Sequence, residues 1–247
     1  MSTPAIETWS VVARNNPEHA RNPIHTDAGA QAAGFPRALV AGVTTYAYLT
    51  HPIVVGWGVD WLAHGGAEVR FLAPVSQDSL LQLVPTNDGD DVVVEAFADG
   101  TAALASLRAV RSAGPPPALR AGEQLRVREL RLEGEYGSDY GLRAGDDLDI
   151  FARLGVVHPA VWPALANYVV HRDVARGSWI HTRSIVRHHA TAPAGATATI
   201  TSAVVERFDS RAGERAVLDV RIDVDGVTVA TLEHHAIVAL PGAAPRS

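Results

Sequence analysis

Cysteine and lysine are both absent from this sequence of 247 residues, in which all 21 basic residues are arginine. Without a thiol there are no disulfides, no thiolate catalysis, no iron–sulfur clusters and no cysteine zinc sites. Without a lysine amine, Schiff-base chemistry and nucleotide binding by a P-loop are excluded. The formal charge of −6 offers no general attraction to nucleic acid or to an anionic membrane. We therefore expect neither of them as a partner.

Long apolar runs are absent as well. No stretch approaches the ~18 uninterrupted apolar residues of a membrane-spanning helix, and the first ten residues, MSTPAIETWS, lack the basic and apolar regions of a signal peptide. The composition is 47% hydrophobic and 19% charged, which is enough apolar material for a packed core. We therefore expect a cytoplasmic globular protein without a membrane partner.

A proline-rich segment divides the chain near its middle. Residues 114–117 read GPPP, which fits neither a helix interior nor a central strand and is typical of a stiff linker. We predict an N-terminal module over residues 1–113, a linker over residues 114–118 and a C-terminal module over residues 119–247.

Both halves show the same order of elements. Each begins with an apolar helical stretch, predicted over residues 35–50 in the first half and 159–175 in the second. Each helix is followed by four strand-like runs that are rich in Val and Leu and are separated by turn residues. These runs cover residues 67–75, 80–86, 92–98 and 102–111 in the first half, and residues 179–188, 197–207, 216–224 and 227–239 in the second.

An Asp-Gly pair separates the last two strands of each half, Asp99-Gly100 in the first and Asp225-Gly226 in the second. Two such pairs can coincide by chance, but the shared order of elements favours an internal duplication. A helix followed by antiparallel strands must bury itself against one face of their sheet. The predicted fold class is α+β, with two modules in which a curved sheet wraps a nearly all-apolar helix. The two modules are expected to pair as a pseudo-dimer.

Eleven histidines are present, and most of them are expected to be structural. His188-His189 and His234-His235 lie on strand-like runs, where alternation turns one member of each pair outward. No His-Glu-x-x-His motif and no other recognisable ligand spacing occurs, so we predict no metal site. The motifs Gly-x-Ser-x-Gly and Gly-x-Gly-x-x-Gly are missing too, which argues against a serine hydrolase and a dinucleotide cofactor.

One segment carries several features of a catalytic site. Residues 21–27 read RNPIHTD, and Gly42 follows at or near the start of the apolar helix. Asn22-Pro23 favours a turn that holds His25 on a loop or a short helical start. Gly42 lets a ligand carbonyl approach free backbone N–H groups, where the helix dipole favours negative charge. A fixed histidine and an N–H donor on one carbonyl suit enolate chemistry at a thioester. The residues alone equally allow a simple turn, with His25 as a helix cap.

The segment resembles the signature of the MaoC-like, (R)-specific enoyl-CoA hydratase family (hydratase 2). The likeness rests on residues 22–27 (NPIHTD), residues 34–36 (GFP) and Gly42. It implies a hotdog fold and, together with the duplication, a double hotdog. It also implies that His25 and Asn22 are catalytic and that the N–H of Gly42 belongs to an oxyanion hole.

The sequence departs from the family pattern at two positions. Ala20 stands where the family has its catalytic Asp, and Ala41 stands where a His usually precedes the helix glycine. Glu18 and Asp27 are candidate replacements for the carboxylate, although neither occupies the family position. Hydration by the usual two-group mechanism is therefore in question.

The second half carries only a weak echo of the motif. His158 occupies the position before the helix that Ala41 has in the first half, and Asp146-Asp147 stands upstream. Because Asn-Pro-x-His is missing there, we predict that this half is non-catalytic and shapes the substrate channel. His181, near the start of the first long strand, either faces the site of the first half or is a buried structural residue.

The leading hypothesis is an acyl-thioester lyase that hydrates a 2-enoyl thioester or dehydrates a 3-hydroxyacyl thioester. His25 and Asn22 are its predicted catalytic residues, and Gly42, Val43 and Arg37 its predicted substrate contacts. No separate cofactor is expected, because coenzyme A or a phosphopantetheine carrier is part of the substrate. A hotdog thioesterase, a catalytically altered acyl-binding protein and a cyclase or isomerase of a secondary-metabolite pathway remain alternatives. A homodimer of the pseudo-dimeric chain is left open.

Overall fold

The computed structural model describes residues 6–100 and 102–241, which form one antiparallel sheet and six α-helices. The strands are β1 (Trp9–Val12), β2 (Gly66–Phe71), β3 (Leu80–Asp88), β4 (Asp91–Phe97), β5 (Ala105–Val110), β6 (Glu123–Gln124), β7 (Arg128–Arg131), β8 (Ile180–His188), β9 (Thr197–Ser210), β10 (Gly213–Val224) and β11 (Val227–Ala239). The helices are α1 (Asp27–Ala32), α2 (Gly42–Trp57), α3 (Trp61–His64), α4 (Tyr140–Arg143), α5 (Ile150–Leu154) and α6 (Val161–Val169).

The order of strands in the sheet shows an internal two-fold repeat. The first half contributes four neighbouring strands in the order β3-β4-β5-β2, and the second half contributes β9-β10-β11-β8. β2 and β8 pair with each other in the middle of the sheet, where Val69 lies opposite Ser184. β1 extends the sheet beyond β3, and β6 and β7 pair with the corresponding strand β9. The predicted α+β class and the predicted duplication are therefore confirmed.

Helix α2 is the buried centre of the first half. Every residue from Val43 to Val54 is buried, because the helix packs against β3, β4, β5 and β8 and also against α4 and α6. Such an enclosed helix is expected to be apolar over most of its surface, and its buried threonine and histidine side chains are hydrogen-bonded, namely Thr44, Thr45, Thr50 and His51. The predicted bounds, residues 35–50, are nevertheless wrong at both ends.

Tertiary contacts explain both errors. Before the helix the chain is extended, because Leu39 forms a β-bridge with Ser76 and the N–H of Val40 donates to the carbonyl of Val75 over 2.8 Å. At the other end the helix runs through Pro52 to Trp57. Proline removes one helical hydrogen bond, but burial on all sides keeps the surrounding turns helical.

Helix α6 is the corresponding centre of the second half. It covers Val161–Val169 and continues as a π-helical turn over Val170–Val174, so the prediction of a helix over residues 159–175 is confirmed within two residues at each end. The periodicity of the sequence does not reveal the wider π turn. Such turns are frequent at functional sites, and this one borders the larger cavity described below.

The eight predicted strands correspond to β2–β5 and β8–β11, with bounds that differ by a few residues. The short strands β1, β6 and β7 were not predicted, because two to four residues are too few for a clear alternation. The Asp225-Gly226 turn is confirmed, with φ values of 50° and 76° that fit a two-residue type I′ turn. The prediction of an equivalent turn at Asp99-Gly100 is wrong, since a longer loop joins β4 to β5. Residue 101 of this loop lies outside the described residues.

Three smaller expectations can be set against the structure. Alternation on the strands is confirmed, because His188 and His234 are fully buried while His189 and His235 are partly exposed. Residues 111–122, between β5 and β6, form neither helix nor strand, and the module boundaries at residues 113 and 119 stay a prediction. None of the described helices has the length and apolar character needed to cross a membrane.

Candidate active site

Two adjoining cavities, of about 350 Å³ and 270 Å³, lie between the two halves of the chain. They share four lining residues, Asn22 and His25 from the first half and Asn167 and Trp179 from the second. These four residues form a neck between the cavities. Asn22 and His25, which were predicted from sequence, therefore lie beside two residues that follow more than 140 positions later in the chain.

His25 is held at this neck by its backbone and by one hydrogen bond. It ends a short 3-10 turn, Pro23–His25, that the Asn-Pro pair begins. Its Nδ1 donates to the carbonyl oxygen of Leu39 over 2.8 Å. Because a carbonyl only accepts, the neutral ring carries its proton on Nδ1 and leaves a lone pair on Nε2. Burial lowers the pKa of His25 to about 4, against a smaller opposing effect of the Leu39 carbonyl. The ring is therefore a neutral base at pH 7.

Asn22 is buried beside His25. Its Nδ2 donates to the carbonyl of Trp179 over 2.9 Å, a contact that ties the motif to the second half of the chain. Its Oδ1 is buried without a hydrogen-bond partner in the described part of the chain. A buried acceptor of this kind is expected to find a partner when water or a ligand is bound.

Gly42 is the first residue of α2, as expected, and lines the smaller cavity, while Val43 lines the larger one. Within residues 6–100 and 102–241, the N–H groups of Gly42 and Val43 have no acceptor. A Cβ at Gly42 would lie 3.1 Å from Nδ1 of His181 and equally close to the ring of Phe71. Glycine thus leaves space beside this helix end. The N–H groups of Gly42 and Val43 can bind an oxygen that carries negative charge.

Asn15 supports the same helix end, a role that could not be predicted from the sequence. Its Oδ1 accepts from the N–H of Ala41 over 2.9 Å, and its Nδ2 donates to the carbonyl of Leu39 over 2.8 Å and to Gln77 over 3.3 Å. The Leu39 carbonyl is also the partner of His25. The only available signal was its place just before the second Asn-Pro pair, Asn16-Pro17.

His19 is a second histidine in the larger cavity. Its ring centroid lies 5.9 Å from that of His25, and its Nε2 lies 3.1 Å from the hydroxyl of Tyr140. Burial lowers the pKa of His19 to about 3, and the nearby His25 and Arg143 act in the same direction. His19 ends residues 16–19, which read NPEH and repeat the Asn-Pro-x-His pattern just upstream of residues 22–25. The sequence did not indicate a role for this second copy.

The two candidate carboxylates differ in position. Glu18 lines the larger cavity and accepts from Nη1 of Arg143 over 2.9 Å. Asp27 is exposed, and its Oδ1 accepts from the N–H of Ala38 over 2.8 Å. Ala20 is also exposed and is not part of either cavity wall. Of the residues considered as the missing carboxylate, only Glu18 reaches the site.

The arginines near the site also differ in whether they line a cavity. Arg37 is exposed, donates to the carbonyl of Gln77 over 3.2 Å and is not part of either cavity wall. Arg21 lines the larger cavity but is paired with Glu135 over 2.8 Å. Arg172, on the π turn after α6, is exposed at the same cavity, with its guanidinium carbon 6.0 Å from the ring centre of Tyr168.

In the second half, His158 occupies the place before α6 that Ala41 has before α2. Two matching β-bridges, Leu39 with Ser76 and Val156 with Pro193, align the halves in this way. His158 is fully buried, and burial lowers its pKa to about 4, with the nearby Asp146 opposing.

One group of possible metal ligands exists among the described residues, with ligand atoms of His51, Asp146 and Asp147 within 4.8 Å of one another. Nδ1 of His51 is bonded to Asp146 over 2.8 Å, and its ring stacks on Trp9 at 3.6 Å. The expectation of no metal site stays a prediction.

Comparison with known proteins supports the fold. No protein-family model and no curated protein matches the sequence. A conserved hypothetical protein from Mycobacterium tuberculosis with a double hotdog fold superposes with a TM-score of 0.64 at 11% identity, covering 95% of this chain and 96% of that one. A MaoC-like dehydratase gives a TM-score of 0.61 at 15% identity, covering 94% and 98%.

A third structure, from Novosphingobium aromaticivorans and assigned as a thioesterase, gives a TM-score of 0.50 at 14% identity, covering 81% of this chain and 88% of that one. At these identities the likeness shows the fold alone. This protein has the double hotdog fold, and the structures that share it include MaoC-like dehydratases and thioesterases.

Proposed function

We propose that this protein is an acyl-thioester lyase, which adds water to a 2-enoyl thioester or removes it from a 3-hydroxyacyl thioester. The position of His25 carries the proposal. Its Nδ1–H is bonded to Leu39, so its Nε2 is left free at the neck of the cavities. At the same cavities α2 begins with Gly42 and Val43, whose N–H groups have no acceptor among the described residues. A base and an anion-stabilising helix end side by side suit enolate chemistry.

In hydration, the thioester carbonyl accepts hydrogen bonds from the start of α2, which stabilise negative charge on its oxygen. Nε2 of His25 takes a proton from water while the water oxygen bonds to C3, and the C2–C3 π electrons move into the thioester enolate. The protonated His25 then returns this proton to C2, and the carbonyl re-forms. Protons and electrons balance, so one histidine serves both steps without a carboxylate at residue 20. Dehydration follows the reverse path.

The environment of His25 fits both of its roles. Because burial lowers its pKa to about 4, the ring is neutral at pH 7 and can accept the proton of water. Its conjugate acid is correspondingly strong and returns the proton readily to carbon. Asn22 Oδ1, buried without a partner in the described part of the chain, is available to hold the attacking water.

Coenzyme A or a phosphopantetheine carrier is the proposed handle of the substrate. Arg172 and His171 line the larger cavity, and Arg172 is exposed there. A guanidinium is well suited to a phosphate group. The net charge of −6 makes such a local cation necessary for an anionic substrate.

The test is the hydration of crotonyl-CoA, followed as the loss of the absorbance of the conjugated thioester. We expect turnover by the wild type and a decrease of roughly 10²- to 10⁴-fold in His25→Ala, the usual range for a positioned acid–base group. His64→Ala is the matched control, because His64 is exposed and lies outside both cavity walls. Absence of turnover by the wild type on several chain lengths, or equal rates in both variants, would refute the proposal.

A thioesterase is the second candidate, and Glu18 favours it. A carboxylate in the larger cavity can orient a water molecule toward a thioester carbonyl held at α2. Release of a free thiol from butyryl-CoA, which has no double bond to hydrate, distinguishes this activity from the lyase. Thiol release that depends on Glu18, tested with Glu18→Gln, would favour the thioesterase.

A further inference from the structure

Three buried side chains form a hydrogen-bonded row that ends at the start of α2. Nε2 of His181 lies 2.8 Å from Oγ of Ser184, and the same Oγ lies 2.8 Å from Nδ1 of His234. Ser184 and His234 are fully buried, and His181 is 6% exposed. All three residues belong to the second half, on β8 and β11, whereas Gly42 belongs to the first.

The two outer nitrogens of this row are buried and have no partner in the described part of the structure. Nδ1 of His181 faces Gly42, since a Cβ at Gly42 would lie 3.1 Å from it, and His181 lines the smaller cavity. Nε2 of His234 lies in the core. The edge of Phe71 packs on the His181 ring, with ring centres 4.7 Å apart, and holds its orientation.

Hydrogen-bond counting decides which outer nitrogen carries a proton. Burial lowers the pKa of His181 to about 3, against a smaller opposing effect of the Arg183 backbone, and burial also lowers the pKa of His234 well below its usual value. Both rings are therefore neutral at pH 7. Each neutral ring has one N–H, and Ser184 donates one hydrogen. The Ser184 hydroxyl has no acceptor in the described part of the protein other than these two rings, so it donates to one of them and accepts from the other. Either Nδ1 of His181 or Nε2 of His234 therefore carries an N–H that is not used among the three side chains.

The two possible proton positions, Nδ1 of His181 and Nε2 of His234, differ in whether the N–H can find a hydrogen-bond partner. Both outer nitrogens are buried, but only His181 lines a cavity in which water or a ligand can accept a hydrogen bond. A proton on Nε2 of His234 would leave an N–H in the core with no room for a partner, and such groups are rare. If Ser184 donates to His181 and His234 donates to Ser184, only a lone pair is left in the core. The donor N–H then lies on Nδ1 of His181, beside the cavity.

We propose that Nδ1–H of His181 is a second hydrogen-bond donor to the carbonyl oxygen of the thioester, opposite the N–H of Gly42. This inference rests on the proposed function for the nature of the ligand. It assigns to the second half a direct contact with the reacting group rather than the shaping of a channel alone. Ser184 and His234 are positioning residues, because they act by fixing the tautomer of His181.

The first experiment measures the hydrogen bonds on the carbonyl, independent of turnover. The probe is butyryl-dethia-CoA, in which CH₂ replaces the sulfur and which carries ¹³C at its carbonyl. Bound to the wild type, the carbonyl ¹³C resonance is expected to move downfield, and the movement should be smaller in His181→Phe. His188→Phe is the matched control, because His188 lies on the same strand, is fully buried and lines neither cavity.

The second experiment measures turnover of crotonyl-CoA. Removal of one donor from an oxyanion hole costs about 10²- to 10³-fold in kcat, and we expect this loss in His181→Phe with little change in KM. Partial rescue is expected in His181→Gln, whose side chain again offers an N–H. Ser184→Ala leaves the His181 ring in place and should show a smaller loss, whereas Ser202→Ala, at a buried serine whose Oγ has no partner among the described residues, should show none.

The outcomes separate this inference from the proposed function. Equal carbonyl resonances in the wild type, His181→Phe and Ser184→Ala overturn the role of His181 even if the wild type is an active lyase. A resonance that depends on His181 in a protein without turnover supports the carbonyl contact and refutes the lyase. Failure of the wild type to bind the probe refutes both. If His181→Phe does not fold, Ser184→Ala decides.

Discussion

The carbonyl of Leu39 accepts hydrogen bonds from two side chains, and both serve the candidate site. Nδ1 of His25 and Nδ2 of Asn15 each lie 2.8 Å from it. Asn15 also accepts from the N–H of Ala41, immediately before α2. The proton position on His25 and the start of the helix are therefore tied to one backbone group. The proposed base and the proposed oxyanion site share this support, which fixes the distance between them, as proximity catalysis requires.

Gly42 gives a prediction at the scale of single residues. In Gly42→Ala, the new Cβ would lie 3.1 Å from His181 and Phe71 and occupy the space beside the free N–H groups. We expect kcat for crotonyl-CoA to decrease at least tenfold. Alanine is favoured over glycine by about 1 kcal/mol inside a helix, and a smaller gain at this first helical position partly offsets the crowding, so the melting temperature should change by only a few degrees. Steady-state kinetics and thermal unfolding measure the two effects.

Gly137→Ala is a control for this prediction. A Cβ there would be similarly crowded, at 3.2 Å from a carboxylate oxygen of Asp139, but Gly137 is not part of either cavity wall. Its rate should equal that of the wild type. An unchanged rate in Gly42→Ala would remove this helix end from the site.

The sequence revealed only the half of the site that is local. Asn22, His25 and Gly42 lie within 21 positions, so turn and helix signals place them near one another. Asn167 and His181 join them through contacts between the two halves, namely the packing of α6 against α2 and the pairing of β2 with β8. No periodicity records which side chains of two distant segments meet across a sheet, and this is why the role of His181 could not be decided from sequence.

At the scale of elements, the π turn after α6 gives the larger cavity its cationic edge. Tyr168, His171 and Arg172 all line this cavity. In Arg172→Glu we expect a higher KM for acyl-CoA, because the coenzyme phosphates would lose a cation and meet a carboxylate. The KM for the corresponding acyl-pantetheine, which has no phosphate, should change little. Comparison of the two substrates isolates the charge effect.

Arg37→Glu makes the same change of charge at the arginine that the sequence favoured. Arg37 is exposed and bonded to the carbonyl of Gln77, so we expect its KM for acyl-CoA to stay near that of the wild type. A higher KM in Arg37→Glu together with an unchanged one in Arg172→Glu would reverse this assignment and support the interpretation from sequence.

Elements were predictable where they are long and buried. Helices α2 and α6 and the eight main strands were found because apolar residues recur over nine or more positions or alternate between turns, whereas the helices of four to six residues, α1, α3, α4 and α5, were not predicted. The start of α2 was misplaced because Leu39 and Val40 are apolar for a different reason, namely their pairing with Ser76 and Val75. The end was misplaced because Pro52 usually terminates a helix.

At the scale of the whole molecule, buried neutral histidines should make the fold sensitive to acid. Burial lowers the pKa of four almost fully buried histidines: His158 to about 4, His181 and His188 to about 3, and His234 well below its usual value. In the unfolded chain these groups titrate near 6.5. Above that pH these histidines are neutral in both the folded and the unfolded state, so they do not lower the free energy of unfolding. As the pH falls from 6.5 toward 4, unfolding takes up protons, and each histidine lowers the free energy of unfolding by about 1.4 kcal/mol per pH unit.

His188→Phe tests this dependence, because both nitrogens of His188 lack partners in the described part of the chain and its ring packs on Trp61. The free energy of unfolding is measured with denaturant at pH 7, 6 and 5. Relative to the wild type, that of His188→Phe should increase as the pH decreases, by up to about 1.4 kcal/mol per pH unit. His64→Phe, the same exchange at an exposed position, should run parallel to the wild type. Parallel curves for both variants would contradict the prediction.

The continuous sheet through β2 and β8 has a consequence for how the site can change. In a homodimer of single modules, every substitution is made twice, once in each symmetry-related pocket. In this chain each substitution is made once, so Asn167 and His181 can be selected for one substrate while the matching positions of the first half stay as they are. Because the halves are covalently joined, the half that carries the proposed base His25 can stay unchanged while the other half changes with the substrate.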